Sequence, residues 1–334
     1  MELIPKGQVA APEFGRVWIN SGELTLADLR GRVALIDFWD YTCVNCLRTL
    51  PYLVEWDQRY REKGLTIVGV HAPEFSFART AEHVRKAVER LGIHYAVVLD
   101  NDYQIWRAFA NQYWPAKYLI DADGFLRYMH FGEGFYQETE EAIQAVLRER
   151  DAAVKLPPVM APVRDTDQPN ARCYRVTPEL YLGYRRGKLG NAGGFQQDKV
   201  ARYELPKMLE PEVVYAQGGW RAGAEQIESA ATDTGERACL ALVYAAKELN
   251  LVMAPNGQPE YRLWIGQDGR PLAREDAGHD VEFDEDGRSF ARINAPRMYN
   301  LIRNAKFDPR RLELATAGTG LGLYAFTFVT CLAE

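Results

Sequence analysis

The stretch DFWDYTCVNC, residues 37–46, decides how the rest of the chain is read. Two cysteines, Cys43 and Cys46, stand two residues apart, directly after the apolar run RVALIDFW (32–39), which carries a single carboxylate, Asp37. Such a pair can be a redox dithiol, half of a metal site, or two packed thiols. Structural zinc asks for about four ligands, as two such pairs or one pair with spaced histidines. The chain has five cysteines and five histidines, with no second short-spaced pair and no histidines at metal spacing. The remaining cysteines, Cys173, Cys239 and Cys331, fall in or beside strand-like runs and read as buried thiols.

Context favours the redox reading. The apolar run reads as a buried strand, and VNCLRTLPYLVEWDQRYREKG (44–64) as a helix with Leu47, Leu50, Pro51 and Val54 on one face and Gly64 as its stop. Cys43 then sits at a helix N-terminus, where free amide groups and the helix dipole favour a thiolate, so its pKa is expected to be lowered. Cys46 lies one turn inside and more shielded. Cys43 is thus the expected attacking sulfur and Cys46 the resolving one. Asp37, buried six residues before Cys43, is expected to have a raised pKa and to take the proton of Cys46; the alternative is a structural role in a polar pocket. Glu74 follows the next strand and is a candidate second carboxylate or a solvated loop residue, while His71 and His130 read as structural residues at strand ends.

Further along, LTIVGVH (65–71) and YAVVLD (95–100) read as strands, RTAEHVRKAVERLG (79–92), NDYQIWRAFAN (101–111) and QETEEAIQAVLRER (137–150) as helices, and AKYLIDADGFLRYMHFG (116–132) as a hairpin turning at Asp123-Gly124. The order βαβαβαββα predicts a mostly parallel sheet ending in an antiparallel hairpin. Pro115, after Trp114, sits where a strand starts and removes a ladder donor. If its peptide bond is cis, the preceding backbone is turned outward, able to pair with an extended substrate.

Four prolines in VKLPPVMAPVRDTDQP (154–169) read as a linker. The expected organisation is an α/β domain over 1–153, this linker, and an all-β sandwich or jelly roll over 170–334, where strand-like runs alternate with Gly-rich turns. The 334-residue length accommodates two domains. A net charge of −6 argues against nucleic-acid binding, and Arg185-Arg186 and Arg310-Arg311 read as solvated surface. The start, MELIPKGQVAAPEF, lacks the apolar core of a secretory signal, and no apolar run is long enough for a membrane helix, so the cytoplasm is the default expectation.

DFWDYTCVNCLRTLPYL together with YWPAKYLIDADG resembles the thioredoxin superfamily, within it the TlpA-like group and the soluble redox portion of DipZ-type thiol:disulfide interchange proteins. The resemblance covers residues 10–150. It implies a thioredoxin-like fold, Cys43 as nucleophile, Cys46 as resolving thiol, Asp37 as the buried acid, Trp39 as the aromatic after it, Pro51 as the kink proline of the helix and Pro115 as a cis-proline, with Thr42, Trp114 and Glu74 around the site. It implies no cofactor beyond the Cys43–Cys46 disulfide and no metal. The partners it implies are protein thiols and disulfides and a membrane electron donor of the DipZ/CcdA type, in an extracytoplasmic setting. Val44-Asn45 replaces the Gly-Pro of thioredoxin, and Thr49 stands where some TlpA-like reductants place a glutamate, which bears on the redox potential. The second half resembles the appended sandwich of DipZ-type proteins, similar to carbohydrate-binding modules. Trp220, Trp264, Tyr181 and Tyr184 are its candidates for stacking on a glycan, against core or interface roles.

Two other functions remain open at this level. A peroxidase of the peroxiredoxin or glutathione-peroxidase type shares the fold, but peroxiredoxins place a threonine three residues before the reactive cysteine, where this chain has Asp40. A binding protein with a passive redox-fold partner is the third.

Overall fold

The computed structural model describes residues 3–168, 171, 174–230 and 237–329. The chain divides into two compact units, Met1–Pro169 and Asn170–Glu334.

The first unit contains β1 (Trp18–Ile19), β2 (Val33–Trp39), α1 (Val44–Tyr60), β3 (Leu65–His71), α2 (Ala81–Arg90), β4 (Ala96–Leu99), α3 (Gln104–Ala108), β5 (Ala116–Ile120), β6 (Leu126–Phe131) and α4 (Tyr136–Arg150). The sheet runs β1-β4-β3-β2-β5-β6. β2, β3 and β4 are mutually parallel, and β5, β6 and β1 pair antiparallel. β2 is central and every one of its residues is buried. Side chains alternate across it: Val33, Leu35 and Trp39 pack with α1, α2 and α4, while Ala34, Ile36 and Phe38 pack with Ile105 and Phe109. Asp37 is in phase with the first set. It is therefore driven toward α1 by the same periodicity that buries its apolar neighbours.

The buried stripe of α1 differs from the expected one. Cys46, Thr49, Leu50, Leu53, Trp56, Asp57 and Tyr60 are buried, at helical spacing, whereas Pro51 is exposed and Leu47 and Val54 only half-buried. Tyr60 and Trp56 fill the space under the sheet, so the largest rings set the helix rotation. Gly64 ends the following turn with φ +103°, in the left-handed region that glycine tolerates.

The proline-rich segment expected as a linker lies along the first unit. Tyr52 donates to Asp167 at 2.6 Å and accepts from the Val163 amide at 2.8 Å. Gln144 donates to the Pro157 carbonyl at 2.8 Å, and Glu140 accepts from the Met160 amide at 2.8 Å. Prolines lack donors, so α1 and α4 side chains satisfy the carbonyls and the interspersed amides.

The second unit is antiparallel β throughout its paired strands, forming two sheets that share one strand, Val214–Ala222. Its first half pairs with Ala238–Ala245 and its second with Val200–Tyr203 and Ile227–Ser229. Gly218 lies at the crossover with φ +79°, and a Cβ there would sit 2.8 Å from the Arg237 carbonyl oxygen. Leu240, Leu242 and Tyr244 from one sheet and Leu249, Leu251 and Met253 from the other join a single core, which makes the unit a sandwich.

Candidate active site

Cys43 caps α1 with an extended backbone, φ −83° and ψ 115°. Its sulfur accepts from the Cys46 amide at 3.2 Å and from the Cys46 thiol at 2.7 Å. Both cysteines are free thiols; Cys43 is half-buried and Cys46 buried. The spacing of two residues at a helix start is what brings the second thiol under the first.

Burial pushes the Cys43 thiol above its ordinary value, the two hydrogen bonds from Cys46 pull it down, and the Glu74 and Asp40 carboxylates add to the rise. The expected lowering is therefore not the direction found in the dithiol. Burial, with the Glu74 and Asp40 carboxylates, outweighs the hydrogen bonds from Cys46. Cys46 is raised further, by burial first, then by donating to Cys43 and by the charges of Cys43 and Asp37.

Behind the pair, Asp37 is 1 % exposed. Burial lifts its carboxyl to about 7, against a lowering pull from Lys117. Lys117 is its direct antiparallel partner across β2 and β5, is 0 % exposed, and has its pKa depressed by burial. Among the described residues neither Asp37 oxygen nor the Lys117 ammonium has a hydrogen-bond partner.

Asp40 is fully buried and holds the loop before Cys43 in shape. One oxygen accepts from the Thr42 amide at 2.6 Å and its hydroxyl at 2.7 Å, and the other from the Glu74 amide at 2.6 Å. Thr42 and Glu74 are thus tied to one carboxylate, and Glu74 reaches Cys43 through its charge. The peptide bond Trp114–Pro115 is cis. Trp114 donates its indole N–H to the Ala72 carbonyl at 3.0 Å and packs on Trp106, centroids 4.3 Å apart. Trp114 and Cys43 both pack against the same core cluster as Trp39. Trp39 stands edge-on to His71, which burial holds neutral, its pKa lowered to about 3. His71 stacks on Tyr41, while His130 lies at the end of β6 against Phe135. Thr49 bonds the Asn45 carbonyl at 3.0 Å and the Tyr136 hydroxyl at 3.3 Å.

Sequence reasoning passed over Lys117 and underused Asp40. Lys117 carried a signal: it is the one charge in AKYLI, as Asp37 is in VALIDFW, and the two strands are ladder partners.

In the second unit, Trp220 is a correction. It is 1 % exposed, with its N–H donated to the Gln217 carbonyl, and belongs to the core. Tyr184 donates to Asp198, and the Tyr181 ring is covered by the Arg186 guanidinium at 3.6 Å. Trp264 is half-buried and lines a surface trough of about 440 Å³ with Cys239, Gln217, Glu313 and Arg288. Cys239 is half-buried there, more open than a core thiol. Cys173 and Cys331 lie outside the described residues.

Comparison with known proteins follows this division. Residues 8–129 match the AhpC/TSA family, and residues 177–328 match the family described as thioredoxin like C-terminal domain. The first unit is thioredoxin-like. Protein DipZ of Mycobacterium bovis is 33% identical over 316 residues, covering 93% of this chain and 41% of the relative. The chain therefore spans about two-fifths of the length of the DipZ proteins it matches. The thiol-disulfide oxidoreductase YkuV of Bacillus subtilis is 29% identical over 137 residues, 41% of this chain and 91% of that protein. Among solved structures, a thiol:disulfide interchange protein DsbE from Chlorobium tepidum, described there as a candidate, aligns with TM-score 0.39 and 25% identity over 42% of this chain and 96% of its own.

Proposed function

We propose that the protein is a thiol–disulfide oxidoreductase acting on protein substrates through Cys43 and Cys46. The observation that carries this is half-buried Cys43 at the start of α1 with the Cys46 sulfur 2.7 Å from its own. The Cys43 thiolate attacks a substrate disulfide and releases one substrate thiolate. Asp37 accepts the Cys46 proton, and the Cys46 thiolate attacks Cys43, expelling the second substrate thiolate and leaving a Cys43–Cys46 disulfide. Asp40 stands where a peroxiredoxin places a threonine, and its oxygens accept from Thr42 and Glu74, which disfavours the peroxidase reading.

We assign the pair to the reducing direction. A strong oxidant such as DsbA stabilises its attacking thiolate. Here burial, Glu74 and Asp40 destabilise that thiolate. A membrane thiol–disulfide carrier of the DipZ/CcdA type is the electron donor we assign, consistent with an extracytoplasmic site of action. No described helix of this chain is long and apolar enough to cross a membrane. Cys46→Ser tests the function: it should accumulate a mixed disulfide through Cys43 with a disulfide-bonded protein, and absence of any adduct refutes it.

A second reading attaches to the other unit. The trough at Trp264 has the size and the aromatic wall of a small glycan site. Binding of the full chain to a glycan array, lost in Trp264→Ala, would support it; an array without signal would remove it.

A further inference from the structure

We propose that the sugar held in the Trp264 trough is an acidic one, a hexuronate whose ring rests against the indole and whose carboxylate pairs with the guanidinium of Arg237. The inference deepens the glycan reading of that trough and rests on it.

The register of four antiparallel strands builds the floor. Tyr261–Gln267, Pro309–Thr316, Ala238–Ala245 and Val214–Ala222 lie side by side. Trp264, Ala315, Cys239 and Gln217 form one cross-strand row, and Gly266, Glu313 and Ala241 the next. Their chain neighbours Ile265, Leu314 and Leu240 belong to the core, so both rows stand on the outer face of the sheet. Ala315, Ala241 and Gly266 offer at most a methyl group each. They leave the hollow of about 440 Å³ between the indole and the Gln217 amide. That volume is within the usual range of ligand pockets, about 300–1,000 Å³.

Charge decides what kind of sugar fits. On a chain with a net charge of −6, the hollow is lined by Arg237, Arg288 and Arg311 against the carboxylate of Glu313. Arg311 is paired with Glu313 at 2.7 Å. Arg288 gives its Nε to Asp284 and its Nη2 to Asp286, both at 2.9 Å, and its guanidinium stands 5.0 Å from the Trp264 centroid. The Arg262 guanidinium lies 5.3 Å from the same centroid. Arg237 is exposed and its side chain has no ion-pair or hydrogen-bond partner among the described residues. A guanidinium donates in a planar fork that matches a carboxylate. A neutral sugar would leave that fork to water, gaining the indole face and hydroxyl bonds to Gln217 and Glu313. A uronate keeps those contacts and adds a charge-assisted pair, in a field already made positive by Arg288 and Arg262.

The test uses the full chain on immobilised polygalacturonate, alginate, hyaluronan and heparosan. Each polymer is set beside its carboxyl-reduced form, in which the rings are neutral, and polyglutamate serves as a polyanion without sugar. At least one uronate polymer should bind, about tenfold or more tighter than its carboxyl-reduced form, and polyglutamate should not. Arg237→Gln should lower the affinity for the native polymer to that for the reduced one, and Trp264→Ala should remove both. Occupancy is read separately: in a Cys43→Ser, Cys46→Ser, Cys173→Ser, Cys331→Ser background, the bound polymer should slow alkylation of Cys239, which lines the hollow. Equal binding to native and reduced polymers, or binding to neutral glycans alone, overturns the acid preference and spares the glycan site. Unchanged affinity in Arg237→Gln, binding matched by polyglutamate, or unchanged Cys239 alkylation also overturns the inference. No binding to any glycan, acidic or neutral, removes the inference and the glycan reading together.

Discussion

The two units bury polar groups in opposite ways. In the second, Tyr244, Gln267 and Asn304 close a ring: Tyr244 donates to Gln267 at 2.6 Å, Gln267 to Asn304 at 2.9 Å, and Asn304 back to Tyr244 at 3.0 Å and to the Ala246 carbonyl at 3.1 Å. Asn191 likewise bonds both backbone groups of Ala216. In the first, the carboxylate of Asp37, the ammonium of Lys117, both nitrogens of His71 and the hydroxyl of Tyr95 have no hydrogen-bond partner among the described residues. The second unit keeps only Asn250 Nδ2 and Arg310 Nε in that state. A closed network fixes a core, because each member loses about 1–3 kcal/mol if its partner is removed. An open one leaves groups whose protonation can change. The difference places most of the buried polar groups without hydrogen-bond partners in the first unit.

The largest effect is expected from Cys43→Ser, which should reduce disulfide exchange to the uncatalysed level in an insulin-reduction assay, while Cys239→Ser leaves it unchanged. Exchange that survives in Cys43→Ser would move the chemistry out of the first unit. Next is the double change Asp37→Leu, Lys117→Met. It should slow resolution by roughly 10²-fold at neutral pH, the low end of general-base contributions. Stability should hold or rise by about 1–4 kcal/mol, because an apolar pair replaces buried charges. Denaturant melts beside stopped-flow rates read both, and a large loss of stability would make the pair structural, like the ring in the second unit.

Asn304→Ala should do the reverse. It should cost about 1–3 kcal/mol and leave the exchange rate of the folded protein untouched. The reduction potential, measured against glutathione, should fall nearer that of thioredoxin, about −270 mV, than that of DsbA, about −120 mV; a value near the latter would show that the Cys43 thiolate is stabilised after all. The last effect is in stability against pH. The Asp37 pKa rises from 3.8 unfolded to about 7 folded, so between those values the folded state holds a proton that the unfolded state has released. Its contribution is therefore fully present below about pH 4 and lost as pH rises through about 7. Melts of the double variant should lack that decline.

Legibility followed from local physics. The strand 33–39, the helix from 44, a stop at Gly64 and the hairpin turn at Asp123-Gly124 were readable because period and turn chemistry are short-range. The strand 214–222 was not, since Gly218-Gly219 breaks its apolar pattern at the point where it leaves one sheet for the other. Trp220 could not be placed, because whether a strand tryptophan is core or surface depends on which face its sheet turns inward. The face of α1 was misjudged because ring volumes under the sheet, not helical period alone, set its rotation.

The amino-acid order by itself determined that two thiols would stand one helical turn apart beside a strand carrying a lone carboxylate, since bonds and periods of a few residues suffice for that. Only the tertiary structure decided what those thiols feel. Asp40 and Glu74 approach Cys43 from a loop and from the end of β3, and Lys117 meets Asp37 from a strand 80 residues further on. Electrostatic energy depends on distance in space and on solvation, and chain folding alone sets both.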